Sequence, residues 1–147
     1  MGSTTISAQD FPLDTLLNIH QLSNKSLFSF LKTKGFKYAG AASFSEQQSL
    51  IFQYPTCDDK IESSKNTLKR TFINKTWKTT FSIHSDKDWY QKIIQDIGKN
   101  GYEFQETGTT RNRKFTWKIY ENTQYKLTAT IQTKGGAYIY YLTIESK

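Results

Sequence analysis

Few side chains in this chain are suited to bond-making chemistry, and none stands at a spacing that assembles a site. His20 and His84 are the only histidines. A helical metal site would place a second His four residues from the first, and neither has that partner. His20 falls beside Leu16 and Leu17 on an apolar helical stripe, which fits a packed structural imidazole, and His84 ends a strand. Cys57 is the only cysteine. It excludes an intrachain disulfide and a multi-cysteine metal site, leaving a loop thiol or an intermolecular disulfide. Asp58-Asp59 lies in a polar stretch, and Asp86 with Asp88 suits a helix N-terminus better than paired-carboxylate catalysis. No P-loop, dinucleotide fingerprint or Gly-x-Ser-x-Gly elbow occurs. The expectation is a protein without catalytic residues, metal or cofactor.

Binding chemistry is more visible. Arg111, Arg113, Lys114 and Lys118 concentrate around one hairpin, where they could contact phosphate or carboxylate; the plainer alternative is a solvated hairpin tip. Side chains alternate across a strand. In the strand from Arg113, Lys114, Thr116, Lys118 and Tyr120 therefore oppose Phe115, Trp117 and Ile119. In the next strand Lys126, Thr128, Thr130 and Gln132 oppose Tyr125, Leu127, Ala129 and Ile131. Taking the apolar sets as core leaves a Lys/Thr/Gln/Tyr face, and the candidate binding residues on and beside it are Arg111, Arg113, Lys114, Thr116, Lys118, Tyr120, Lys126 and Thr128. The formal net charge of +7 favours an anionic partner: an acidic protein, nucleic acid or an anionic membrane surface. It also serves simply to keep a tyrosine-rich sheet in solution.

The elements that position these residues can be read from periodicity. Asp10 caps a first helix carrying Leu13, Leu16, Leu17 and His20, and Pro12 is tolerated in its first turn. Ser23 or Asn24 starts a second, with Leu27, Phe28 and Leu31, that ends at Gly35. From Phe36 the period changes to two. Phe36, Tyr38, Gly40, Ala42 and Phe44 share one side of a strand, followed by strands at 49–54, 68–73 and 76–83, with a polar loop over 56–66 and a tight Asn74-Lys75 turn. Ser85 or Asp86 then caps a helix with Trp89, Ile93, Ile94 and Ile97. Strands at 102–106, 113–121, 124–133 and 137–145 follow, with turns at 107–112, Asn122-Thr123 and 134–136. The last strand is fairly apolar on both sides, as a central strand would be.

The order repeats. A polar cap, a short helix, a glycine and an aromatic lead into four strands twice, with Gly35-Phe36 in the first pass and Gly101-Tyr102 in the second. The expected fold is α+β: two tandem units, 10–84 and 85–147, each of short helix or helices plus a four-stranded antiparallel sheet, packed as one compact domain or a continuous sheet. Residues 1–9 read as a tag or signal remnant, since Met1-Gly2-Ser3 resembles a tag and Thr5 to Gln9 resembles the tail of a secretory signal. No apolar stretch approaches the roughly 20 residues of a spanning helix.

The two openings, Ser23 to Tyr38 and Ser85 to Phe104, each followed by four strand candidates, resemble the plan of the beta-lactamase inhibitor protein family. The likeness spans nearly the whole chain but carries no diagnostic motif. That family has disulfides within its repeats, which Cys57 alone does not supply. The resemblance implies a sheet surface that grips a partner protein, here the face with Lys114, Lys118, Tyr120 and Lys126.

The expected function is a non-enzymatic, secreted or periplasmic protein-binding module, inhibitor-like or immunity-like, facing an acidic partner. Two alternatives remain: a nucleic-acid-binding protein using the same face, with a cytoplasmic location open, and a small-ligand binder with a pocket between helices and sheet.

Overall fold

A computed structural model describes residues 11–44, 47–54, 66–73, 76–84 and 86–147. The stretch 1–9, Asp10, the polar loop with Cys57 and Asp58-Asp59, the Asn74-Lys75 turn and Ser85 lie outside the described residues.

Helix α1 (Leu13–Gln21) follows Pro12, which occupies the N-cap position without a side-chain cap. Helix α2 (Asn24–Thr33) starts at Ser23, whose hydroxyl accepts from the Ser26 amide at 3.2 Å. It closes in a Schellman turn: the Phe36 amide reaches the Leu31 carbonyl, the Gly35 amide reaches that of Lys32, and Gly35 takes φ 87°. A left-handed residue there favours glycine. Helix α3 (Lys87–Lys99) is capped by Asp86, which accepts from the Trp89 amide at 3.0 Å.

Strands β1 (Lys37–Phe44), β2 (Gln47–Tyr54), β3 (Asn66–Ile73), β4 (Thr76–His84), β5 (Glu103–Thr109), β6 (Phe115–Glu121), β7 (Tyr125–Lys134) and β8 (Ala137–Ser146) complete the fold. They form one antiparallel eight-stranded sheet in the order β1-β2-β3-β4-β8-β7-β6-β5. The two expected four-stranded sheets are therefore one continuous sheet, joined where β4 pairs with β8. β8 is central, as its two-sided apolar character implied.

All three helices lie on one face. Leu13, Leu16, Ile19, Leu27, Leu31, Trp89, Ile93 and Ile97 pack against Leu68, Phe81, Ile83, Leu127, Leu142 and Ile144. Burying each such side chain contributes roughly 1.5–3 kcal/mol. Phe11 joins this core, 5.6 Å from Phe36 and 5.0 Å from Phe81 between ring centroids, and its carbonyl accepts from Trp89 Nε1 at 3.0 Å.

Three sequence expectations need correction. Tyr38 pairs with Phe52 whereas Gly40 pairs with Ile51, because the register shifts between them. The extra residue puts Tyr38 and Gly40 on opposite faces. Arg113 opens no strand: it has φ 58° in the turn before β6, and β5 runs on to Thr109. The third concerns the faces of β6.

Candidate binding surfaces

Register decides which side chains share a surface. Tyr120 stands opposite Leu127, Lys118 opposite Ala129 and Thr116 opposite Ile131. Thr116, Lys118 and Tyr120 thus lie on the helix-bearing face, and Tyr120 is buried there. Lys126 and Thr128 lie on the opposite, helix-free face, joined by Phe115, Trp117 and Ile119. Arg111, Arg113 and Lys114 are exposed at the β5–β6 turn. The expected single Lys/Thr/Tyr face is in fact divided between the two sides of the sheet.

The helix-free face can be followed across the strands. One row reads Ile51, Lys69, Thr80, Thr143, Thr128, Ile119; its neighbours are Ser49, Thr71, Lys78, Glu145, Lys126, Glu121 and Gln53, Thr67, Ser82, Tyr141, Thr130, Trp117. Many of its hydroxyls satisfy one another across strands. Ser49 with Thr71 and Thr80 with Thr143 are each 3.1 Å apart, Thr67 bonds to Ser82, and the Tyr141 hydroxyl donates to Gln132. Three lysines, Lys69, Lys78 and Lys126, stand at the centre with Glu145 between two of them, while Glu103, Glu106 and Glu121 gather toward β5. Trp117 is fixed in place: a Cβ on Gly108, its cross-strand partner, would come within 2.3 Å of Trp117 Cζ2. The indole therefore lies directly over glycine backbone, a rigid half-buried ring.

On the helix-bearing face, the C-terminus of α1 is held by charge. Arg70 is fully buried, and its guanidinium donates to the carbonyls of Leu22 (2.6 Å), Ile19 (2.8 Å) and His20 (3.2 Å), and to Asn24 Oδ1 (3.3 Å). Trp77 Nε1 also donates to the His20 carbonyl, at 2.8 Å, and its ring lies 5.3 Å beneath the Arg70 guanidinium. A cation at the negative end of a helix, meeting end carbonyls of which only that of Ile19 has a backbone donor, the Leu22 amide at 3.1 Å, is favourable on both counts. Burial lowers the Arg70 pKa to about 10, so it stays charged at neutral pH.

His20 sits beside this cap, with Nδ1 2.8 Å from Thr79 Oγ1 and Nε2 2.9 Å from Ser146 Oγ. A neutral imidazole offers one donor and one acceptor, and hydroxyls can take either role. Burial, then the nearby Arg70 charge, brings its pKa down to about 4. His20 is therefore a structural residue, in line with its apolar stripe. His84 lies on the helix-free face opposite Ile139, its pKa lowered by burial and then by Lys134. Among the described residues no cluster of His, Cys, Asp or Glu could hold a metal.

Two recesses of about 570 and 560 Å³ adjoin beside α3, sharing Lys87, Ile131 and Tyr140. The first adds Ile94 and Lys118; the second adds Tyr138, which is 51 % exposed. Tyr138, Tyr140 and Tyr90 form a ladder of rings with centroids 6.4 and 5.1 Å apart. Burial raises the Tyr90 pKa to about 12, keeping its hydroxyl protonated. A smaller recess of about 390 Å³ lies beside α2, lined by Phe28, Tyr38 and Phe52 with Lys32 and Lys37.

Sequence reasoning missed Arg70 and Phe11; it puts Trp77 on one side of its strand with Thr79, Phe81 and Ile83, but not its contact with α1. A signal for Arg70 was present, since it alternates in phase with Leu68 and Phe72 on a strand whose intervening residues Thr67, Lys69 and Thr71 are polar.

What the fold defines is an α+β protein with three helices on one face of an eight-stranded antiparallel sheet and the other face uncovered among the described residues. No helix among those residues is long and apolar enough to cross a membrane. No protein-family model, curated protein or solved structure matches the chain.

Proposed function

We propose that this is a non-enzymatic protein-binding module whose helix-free sheet face contacts an acidic partner. The observation that carries the reading is the β6–β7 register, which brings Phe115, Trp117 and Ile119 onto the same uncovered face as Lys126 and Thr128. Fixed aromatic anchors within a polar, hydroxyl-rich field have the composition of a protein contact surface. The Lys69, Lys78 and Lys126 group supplies the attraction for an acidic patch. An inhibitor-like or immunity-like role in a secreted or periplasmic setting accompanies this reading.

The same proposal takes the chain as two tandem units, 10–84 and 85–147, on the plan that resembles the beta-lactamase inhibitor protein family. The matching glycines have φ 87° at Gly35 and 78° at Gly101, and both units are capped by a side chain accepting from the third residue on. β1 and β5 each have their register break at the third residue, Ala39 and Gln105. Shared irregularities at equivalent places support duplication more strongly than shared regular elements do.

The test uses the immobilised chain as bait in an extract or culture fluid of its source. The Trp117→Ala and Lys78→Glu/Lys126→Glu variants are expected to lose a protein that the wild type and Lys25→Glu, altered on α2, retain. Equal recovery by all four would remove this face from the account.

A second reading has its own observation. Phe115 and Trp117 on the same face as Lys126 also offer the rings and cation that single-strand nucleic-acid binders use for stacking and phosphate contact. Affinity for oligonucleotides that falls steeply with salt would favour it, because phosphate contacts release counterions.

A further inference from the structure

We infer that the recess beside α3 docks an amphipathic, acid-flanked α-helix of a partner protein, as the first half of the sheet already docks α1. The starting point is a correspondence of position. β3 and β4 close at the pair Ile73 and Thr76, and β7 and β8 at Lys134 and Ala137. Counting outward from these closing pairs, Arg70, Trp77 and Thr79 match Ile131, Tyr138 and Tyr140. The first set holds the last turn of α1 through the guanidinium, the indole N–H and the His20 contact. The second set lines the recess; α3 reaches its edge, through Tyr90 against Tyr140 and through Lys87, and leaves Tyr138 51 % exposed.

The differences between the sets say what would fit. Arg70 grips the carbonyls where α1 ends, so its site is specific for that terminus. Ile131, Tyr138 and Tyr140 offer apolar and aromatic surface instead, with room for a few side chains. Helices dock in grooves through such anchors at i, i+3 and i+4 spacing. α1 itself buries Leu13, Leu16, Ile19 and His20, an i, i+3, i+6, i+7 stripe. At the rim, Lys87 on α3 and Lys118 on β6 face the space, and no acidic side chain lines either recess. Among the described residues the ion pairs are Lys92 with Asp96 and Lys147 with Glu121, so neither rim lysine is neutralised. Acidic residues flanking the apolar stripe are the complement. The expectation of a helix at this place rests on the tandem reading proposed above; the recess and its charge do not.

The probe is a hydrocarbon-stapled helical peptide with leucines at α1's i, i+3, i+6 spacing and glutamates on both flanks, compared with a peptide carrying lysines instead. Titration into the intact chain is followed by NMR of the isoleucine methyls. Saturable shifts at Ile94 and Ile131 are expected, with the glutamate peptide bound on the order of tenfold more tightly. Lys87→Glu/Lys118→Glu, checked for an unchanged melting temperature, should reverse that preference. No shift at Ile94 and Ile131, equal affinity for both peptides, or tighter binding there of an anionic amphiphile such as dodecanoate overturns the inference. Shifts confined to Ile119 and Ile139 also overturn it, while leaving the helix-free-face function standing; loss of capture by Trp117→Ala with normal peptide binding does the converse.

Discussion

Arg70, Trp77 and Thr79 hold the end of a helix. Ile131, Tyr138 and Tyr140, equally far from their own closing pair, hold no helix end; they line a recess at the flank of α3, where Tyr90 stacks on Tyr140. The two sets match in position counted from their closing pairs, and they differ in side chain. A buried guanidinium commits its strip to one partner, because three carbonyls must be present to meet it. Tyrosine and isoleucine make no such demand. Tyrosine rings tolerate water at their hydroxyl ends and offer stiff contact area to whatever arrives. One strip is thus closed by electrostatic necessity, and the other keeps Tyr138 exposed at little cost.

The largest effect should come from the committed strip. Arg70→Met leaves the Leu22 carbonyl without its guanidinium donor, and those of Ile19 and His20 with only the Leu22 amide and the Trp77 indole, and should lower unfolding free energy by about 3 kcal/mol in denaturant titration. A loss under 1 kcal/mol would mean the guanidinium is not what closes α1. Next is a pH effect. His20 is held neutral to about pH 4, whereas in the unfolded chain it titrates near its ordinary 6.5. Below 6.5 the unfolded state binds the extra proton, so stability falls with decreasing pH until about 4. Between pH 7 and 5 wild type should lose about 2 kcal/mol more than His20→Gln. Parallel pH profiles for the two would refute the neutral imidazole.

Smaller effects sharpen the comparison. Ser23→Ala and Asp86→Ala remove matching caps and should each cost about 1 kcal/mol in thermal or chemical unfolding. A large disparity would argue that the two halves begin differently as well. Tyr138→Ser, on the open strip, should change stability by less than about 0.5 kcal/mol. A larger loss would mean that this strip, too, is committed to the chain's own fold.

The elements were legible because caps, glycines and changes of period are local. Ser23, Gly35, Asp86 and Gly101 bound their helices where the sequence implies, and all eight strands lie near their expected places. Faces were not legible, because they depend on register between strands. The strand from Phe115 alternates clearly, yet which set joins Leu127 turns on the parity of the connection. Asn122 Oδ1, accepting from the amides of Gln124 and Tyr125, closes that turn with Glu121 opposite Lys126. One residue more or less would exchange the faces. The aromatic set looked like core and stands on the open side, taking part of the candidate site with it. Ala39 upset the first strand in the same way. Phe11 escaped because a lone aromatic before a proline carries no period.

The paired register breaks at Ala39 and Gln105 lie in the two outermost strands. An unpaired strand edge is a template for growth, recruiting any chain whose amides fall into step with it. An extra residue twists the edge and puts its donors and acceptors out of step. With Glu103 and Glu106 exposed along β5 as well, the eight described strands end at edges that resist further pairing. In a chain with this many rings and β-branched residues, irregularity at the margins of the described sheet is thus a guard against fibre-like pairing.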